Sequence, residues 1–353
     1  MVVVSHGKLQ KIAFAVFKAV GCSEYEAKRV SELLVLGNLR GHDSHGAGVY
    51  IPTYTQRIRQ GSIIPGAKAE IVTETPTMAL INGNKGLGQV NATRGMEIAI
   101  EKAKNSGIGA VSIFNCNHIG RLADYASMAL EHDMIGFLMA NVGGSSVAPH
   151  GGAKGVFGTN PLCYAIPAGK EEPIIVDLAT SVFAGGKLSV AVARNESLQE
   201  GVLIDHEGRP TIDPSAYWEK PRGSLLPFGS LVGYKGYGLC LVVDILGGAL
   251  SGSGCASQAR SNGVFMIAID IAKFRPIEEF KADVDMVILE CKKTPVAPGY
   301  VGLKGEREVL IPNEQERRAE AKNRREGIYL SDSTWEKIVE TTKEVGVDIQ
   351  KIK

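Results

Sequence analysis

Apolar residues recur at helical spacing from Leu9 to Val20, placing Leu9, Ile12, Ala13, Val16, Phe17 and Val20 on one face. Ser23-x-x-Glu26 then reads as a capping box opening a second helix that runs to about Leu39. A third helix follows Gly41, runs to about Gln60 and stops before Pro65-Gly66. Short apolar runs at Glu70 to Thr73 and Met78 to Ile81, a turn containing Gly83, Gly86 and Gly88, and an amphipathic stretch from Ala92 to Lys104 predict a hairpin and then a helix. A strand at Ile108 to Phe114, a helix from Arg121 to His132 and a strand at Ile135 to Asn141 continue this α/β alternation. Residues 142–222 differ: rich in Gly and Pro, with short apolar runs such as Leu162 to Ile166 and Pro173 to Val176, they predict a loop-rich β lobe. Tyr234 to Leu250 reads as a buried helix, Val264 to Ile271 as a strand and Ile277 to Cys291 as a helix, and the helices of Pro312 to Val347 return to the N-terminal layer. The expected organisation is an α/β chain with interleaved parts: a helical domain of residues 1–68 plus 305–353, an α/β domain of 69–141 plus 223–304, and an inserted β-rich lobe of 142–222.

The 353-residue length fits two or three lobes, at roughly 150 residues per domain, and 44% hydrophobic with 22% charged residues fits a folded chain. Lys and Arg total 39 against 38 Asp and Glu, spread along the chain, which argues against nucleic acid or an anionic membrane as partner. The six cysteines are widely separated without a C-x-x-C, so neither a disulfide framework nor a zinc ribbon is expected. No basic leader precedes the apolar start, and no run reaches the roughly 18 apolar residues of a membrane span, so a cytoplasmic chain is expected. The 42 glycines imply many tight turns and close backbone approaches.

Nucleotide fingerprints are missing: no G-x-G-x-x-G follows a predicted strand and no G-x-x-x-x-G-K-[ST] occurs, which argues against a standard Rossmann half. The clusters Gly83-x-x-Gly86-x-Gly88 and Gly233-Tyr-Lys235-Gly236-Tyr-Gly238 allow either phosphate binding at a helix start, with Lys235 supplying charge, or tight loops with a solvated lysine. In Gly41-His42-Asp43-Ser44-His45-Gly46 the two histidines share a helical face, compatible with a metal pair, with one catalytic and one structural imidazole, or with a helix cap by Asp43 or Ser44. No H-E-x-x-H is present, and no metal is expected. Sequence neighbours cannot aim into a Ser-His-Asp relay, and the G-x-S-x-G elbow is missing. In Asn115-Cys116-Asn117-His118-Ile119-Gly120-Arg121, at a strand end, His118 is a candidate acid or base, Asn117 a dipole and Arg121 a bidentate clamp for a carboxylate, against the plainer reading of a capped loop. Phe157-Gly158-Thr159-Asn160-Pro161 and Asp177-Leu178-Ala179-Thr180-Ser181 are turn signatures after apolar segments.

In this order, Asp43-Ser44-His45-Gly46, Asn117-His118-Ile119-Gly120, Gly158-Thr159-Asn160-Pro161, Asp177 to Ser181 and Tyr234-Lys235-Gly236-Tyr237-Gly238 resemble the non-Rossmann malate/L-lactate dehydrogenase family over nearly the whole chain. The run Gly41 to Gly46 with Gly48, and Arg121 after the second motif, is most similar to the hydroxycarboxylate dehydrogenase B branch. The resemblance implies a homodimeric oxidoreductase using NAD, or NADP, with a cofactor domain on a mixed, largely antiparallel sheet, acting on a small 2-oxo or 2-hydroxy acid. It makes His118, slightly favoured, and His45 the acid/base candidates, and Ser44, Arg121, Thr159 and Asn160 substrate-binding candidates. It assigns cofactor contacts to Asn141, Val142, Asp177, Leu178, Ala179, Thr180, Ser181, Lys235, Asn313 and Glu314. Two positions depart from the family pattern: Val49 stands where many relatives carry an arginine, for which Arg121 is the expected substitute, and Asn313 stands in a Pro-Gly-Glu position. Cyclic-imine reduction with NADPH and a non-catalytic ligand-binding role are the alternatives.

Overall fold

The computed structural model describes residues 2–302 and 305–352. The chain opens with β1 (Val2–Val4) and α1 (His6–Ala19), whose N-terminus is capped by Ser5 Oγ accepting the Lys8 N–H at 3.3 Å. Leu9, Ile12, Ala13, Val16 and Phe17 are buried, as their spacing predicts. The capping box at Ser23 is present: Ser23 Oγ accepts the Glu26 N–H at 3.3 Å and Glu26 Oε2 accepts the Ser23 N–H at 2.8 Å, starting α2 (Glu24–Leu39). A short turn then leads to α3 (Ala47–Arg59).

β2 (Glu70–Glu74) and β3 (Met78–Asn82) make the expected hairpin, and α4 (Gly88–Ser106) crosses over to β4 (Ile108–Cys116), parallel to β3. Parallel neighbours need such a crossover. α5 (Ala123–Ala126), β5 (Met134–Asn141), β6 (Leu162–Ile166), β7 (Ile174–Leu178), α6 (Gly185–Arg194), β8 (Leu203–Ile204), β9 (Pro210–Thr211) and β10 (Ser224–Leu225) follow. The remainder is α7 (Tyr234–Val243), β11 (Asn262–Asp270), α8 (Ile277–Lys293), α9 (Glu314–Glu326), β12 (Ile328–Leu330) and α10 (Asp332–Glu344).

Among the described residues the main sheet has seven strands in the order β2-β3-β4-β11-β5-β6-β7, antiparallel throughout except at β3/β4. This is the mixed, largely antiparallel sheet expected. α4 lies so close to it that a Cβ on Gly109 would run into the Ala99 carbonyl oxygen. Ile81, Met96, Ile113, Leu138, Val264 and Met266 fill the core between them. A second core joins α1, α2 and α3 to α10 through Leu9, Phe17, Leu34, Ile51, Tyr54 and Ile338. β1 pairs with β12, Val3 opposite Tyr329, and so ties the two ends of the chain together.

Three features differ from the sequence reading. β6 and β7, expected within a separate 142–222 lobe, extend the main sheet; their short apolar runs encode strands but not the neighbour they pair with. The same segment contains α6, whose Gly185-Gly186 start hides its helical period. The Tyr234 to Leu250 helix, read as buried, continues from α7 into a π-helical turn at Asp244–Ala249 and leaves Tyr234, Leu239, Val242, Ile245 and Leu250 exposed. An all-round apolar helix implies a cover, and within one described chain that face has none. The boundary expected between residues 304 and 305 touches positions 303 and 304, outside the described residues. No helix among the described residues is long and apolar enough to cross a membrane.

Candidate active site

Two segments distant in sequence meet where α3 and α4 abut. Gly88, the first residue of α4, lies against the loop after β4, and a Cβ there would strike the Asn117 and His118 carbonyl oxygens. Asn115 and Gly120 adopt positive φ (50° and 80°), turning this loop back on itself. Asn117, expected as a dipole toward substrate, donates its amide to Lys85 O (2.9 Å), Gly86 O (3.0 Å) and Ser62 O (3.3 Å), so it fastens the loop. The Gly83-x-x-Gly86-x-Gly88 cluster serves this packing, which is the tight-loop reading of that motif.

The result is a cluster of rings. His45 and His118 stack with centroids 5.8 Å apart and planes 23° apart, and Tyr50 stacks on His118 at 4.3 Å. His118 Nδ1 is 2.7 Å from the Tyr54 hydroxyl and Nε2 is 3.0 Å from the Tyr50 hydroxyl. Gln89 Nε2 donates to the Tyr54 oxygen at 2.7 Å. Burial, then the charges of His42 and Arg121, holds His45 down to about 4; burial, then His45 and Arg57, holds His118 down to about 3. Both imidazoles are therefore neutral at pH 7. Ser44 Oγ lies 3.1 Å from His45 Nδ1, whereas Asp43 Oδ1 accepts from Asn38 Nδ2 at 2.7 Å. No Ser-His-Asp relay forms.

His45 borders a cleft of about 420 Å³, together with Arg121, Thr159, Leu178, Ala179 and Ser181. A second cleft of about 330 Å³ adjoins it at His42, Arg121, Asp177 and Leu178 and extends to Pro312, Asn313 and Glu316. Arg121 is buried between them: its Nη1 pairs with Asp124 Oδ1 at 3.2 Å, and its Nε has no hydrogen-bond partner. Asp177, near the end of β7, accepts the Ala123 N–H at 2.9 Å, and burial pushes the carboxyl of Asp124 upward, against the pull of Arg121.

Other residues expected at the site are turned elsewhere. Asn141 and Asn160 donate to Asp244 Oδ1 at 2.7 and 3.0 Å, while Asn160 Oδ1 accepts the Val142 N–H at 3.3 Å; these side chains knit the chain behind the cleft. Thr180 donates to the carbonyls of Thr159 and Asn160. Glu314 pairs with Lys292 and Arg318, and Asn313 adopts φ 81° at the start of α9, the left-handed conformation that a glycine takes most freely. Lys235 is exposed at the start of α7 and borders neither cleft, and Gly236 is required because a Cβ would run into the Phe228 backbone. Val49 is exposed. His42 Nε2 lies 3.4 Å from Glu316 Oε1, and no metal-holding group of three or more His, Cys, Asp or Glu occurs among the described residues. Sequence reasoning missed Tyr50, Tyr54, Gln89, Asp124, Lys187 and Phe228. The i, i+4 spacing of the two tyrosines was a usable signal; the others depend on which loops meet.

The pattern of the malate/L-lactate dehydrogenase family matches residues 4–339. The chain is 40% identical to the malate/(S)-sulfolactate dehydrogenase of Methanothermus fervidus, over 98% of this chain and 99% of that protein. It is 34% identical to hydroxycarboxylate dehydrogenase B of Escherichia coli, over 94% and 91% of the two chains. The crystal structure of malate dehydrogenase from Entamoeba histolytica superposes with a TM-score of 0.92 at 32% identity, covering 98% of this chain and 99% of that one. A stacked histidine pair beside a cleft holding a buried arginine, on a scaffold shared from end to end with these enzymes, carries one conclusion: the chain belongs to the malate/L-lactate dehydrogenase family.

Proposed function

We infer that this protein transfers a hydride reversibly between NAD and a small 2-oxo or 2-hydroxy acid of the malate, lactate or sulfolactate type. The observation that carries the reading is the convergence of His45 and His118 beside a cleft into which the buried, partly unpartnered Arg121 brings the only guanidinium among its described lining residues. A carboxylate is the natural complement of a guanidinium, through charge-assisted hydrogen bonds. The two adjoining clefts make one elongated path, with Leu178, Ala179 and Ser181 along one part and Asn313 along the other. Asp177 and Glu316 on the second cleft support NAD over NADP, since a carboxylate accepts from ribose hydroxyls and repels a phosphate. When bound, the nicotinamide supplies the hydride. Arg121 orients the acid, the walls limit water, and the imidazole pair handles the proton.

The test is a screen of oxaloacetate, pyruvate, 3-sulfopyruvate and piperideine-2-carboxylate with NADH and NADPH, followed by loss of nicotinamide absorbance. Turnover of a 2-oxo acid with NADH is expected. Preferential turnover of the cyclic imine with NADPH would move the reading to imine reduction, and cofactor binding without turnover of any substrate would move it to a ligand-binding role.

A further inference from the structure

We propose that Asp244, a buried carboxylate that borders neither cleft, is a positioning residue that fixes the cleft wall carrying Thr159, Pro161, Ser181 and Phe228. Its part in turnover rests on the hydride-transfer reading above; its hold on the wall stands on the hydrogen bonds alone.

Asp244 opens the π-helical turn that follows α7 and is 2% exposed. Such turns are frequent at functional sites. Its carboxylate meets three N–H donors: Asn141 Nδ2 at 2.7 Å and Asn160 Nδ2 at 3.0 Å on Oδ1, and the Ala256 N–H at 2.8 Å on Oδ2. None of the three can turn into an acceptor. Ala256 offers its backbone, the Asn141 amide is oriented because its Oδ1 accepts the Gly143 N–H at 3.0 Å, and the Asn160 amide because its Oδ1 accepts the Val142 N–H at 3.3 Å. An ionised carboxylate only accepts, so it satisfies this set, whereas an asparagine here would aim N–H at N–H on one side. The turn is also built for close approach: a Cβ on Gly248 would lie 2.6 Å from Asn141 Nδ2.

From Asp244 the bonds run outward to the cleft. Asn160 is completely buried and holds φ 38°, a left-handed backbone that costs an asparagine energy and that its side-chain bonds keep in place. Its neighbours Thr159 and Pro161 line the cleft. The Thr159 carbonyl accepts the Thr180 N–H at 3.0 Å, the Asn160 carbonyl accepts from Thr180 Oγ1 at 3.0 Å, and the Thr180 carbonyl accepts the Phe228 N–H at 3.0 Å. Ser181 and Phe228 line the same cleft. The far part of the second cleft, at Pro312, Asn313 and Glu316, belongs to another segment, around the start of α9. Asp244 therefore acts on the place where the acid meets Arg121 and His45 rather than on the whole length of the cofactor path.

Asp244→Asn in the full-length protein tests this. The expected result is a loss of about 10- to 100-fold in kcat for the best 2-oxo acid, a change of less than about threefold in the Kd for NADH, and faster hydrogen exchange at the Val142, Thr180 and Phe228 amides. Asn160→Asp alone should behave alike, because it sets two carboxylates face to face. The double variant Asn160→Asp/Asp244→Asn transposes acceptor and donor: the carboxylate at position 160 keeps the Val142 N–H, and the amide at position 244 donates to it while its oxygen takes the Ala256 N–H. It should recover kcat to within about threefold of wild type and slow the exchange again. Wild-type kcat or wild-type exchange in folded Asp244→Asn overturns the proposal, as does a double variant that recovers stability without kcat. If Asp244→Asn does not fold, Thr180→Val carries the test, since it leaves the Asp244 bonds and removes the hydroxyl bond to the Asn160 carbonyl: the same selective fall in kcat is expected, and an unaltered kcat overturns the proposal. Failure of the wild-type protein to turn over any 2-oxo acid would instead sink the hydride-transfer reading, and the exchange measurements would still decide whether Asp244 holds the wall.

Discussion

Arg121 and Asp124 form an ion pair with side chains only 5% and 2% exposed, so each depends on the other for removal from water. Arg121→Met should cost about 3 kcal/mol at pH 8, because breaking a buried pair strands its partner's charge. Burial already raises the Asp124 carboxyl pKa, so acidification lets the stranded group protonate and the deficit should shrink toward pH 5 in urea titrations. An equal deficit at both pH values would show that the pair is not ionised. The histidines give a second prediction. Unfolded histidine takes up a proton below about 6.5, while folded His45 and His118 stay neutral down to about 4 and about 3. The unfolded state therefore binds more protons in that window, and their contribution to stability, full above pH 6.5, is lost as the pH falls. His118→Asn should flatten the dependence of unfolding free energy on pH between 6.5 and 4, and an unchanged slope would deny that His118 is held neutral by burial.

At the scale of elements, glycines set how closely helices meet the site. Gly88 lets α4 start directly on the His118 loop, so Gly88→Ala must push that loop away. A loss of about 1 to 3 kcal/mol is expected from the overpacking, with a fall in kcat larger than any change in KM as the His118 ring shifts. Wild-type stability and kcat in that variant would show that the contact yields without moving the ring. The capping box of α2 and the apolar face of α1 were legible in the sequence because their determinants lie within one turn of each other. α6 was not, since its glycine-rich start resembles a loop, and neither was the pairing of β6 with β5, which depends on a partner chosen from outside the segment.

For the whole molecule, the exposed apolar side chains of α7 and its flanks form a stripe too large for isolated surface residues, with Leu231 97% and Ile245 53% exposed. A second copy covering this face is the expected arrangement. Sedimentation should give twice the 37.6 kDa chain mass, and Ile245→Glu should give single chains that still fold. A single-chain mass for the wild type at tens of micromolar would refute it.

Periodicity, caps and glycine punctuation determined by themselves that this is an α/β chain starting in a helical layer, because those signals act over a few residues along the backbone. The ordered motifs carried the family resemblance, including both histidines and Arg121. Only the tertiary structure decided that Asn117, Asn141 and Asn160 fasten the chain rather than face the cleft, and that Tyr50, Tyr54 and Gln89 surround His118. Side-chain direction at a site is set by which loops pack together, and those contacts join residues whose separation along the sequence leaves no local trace.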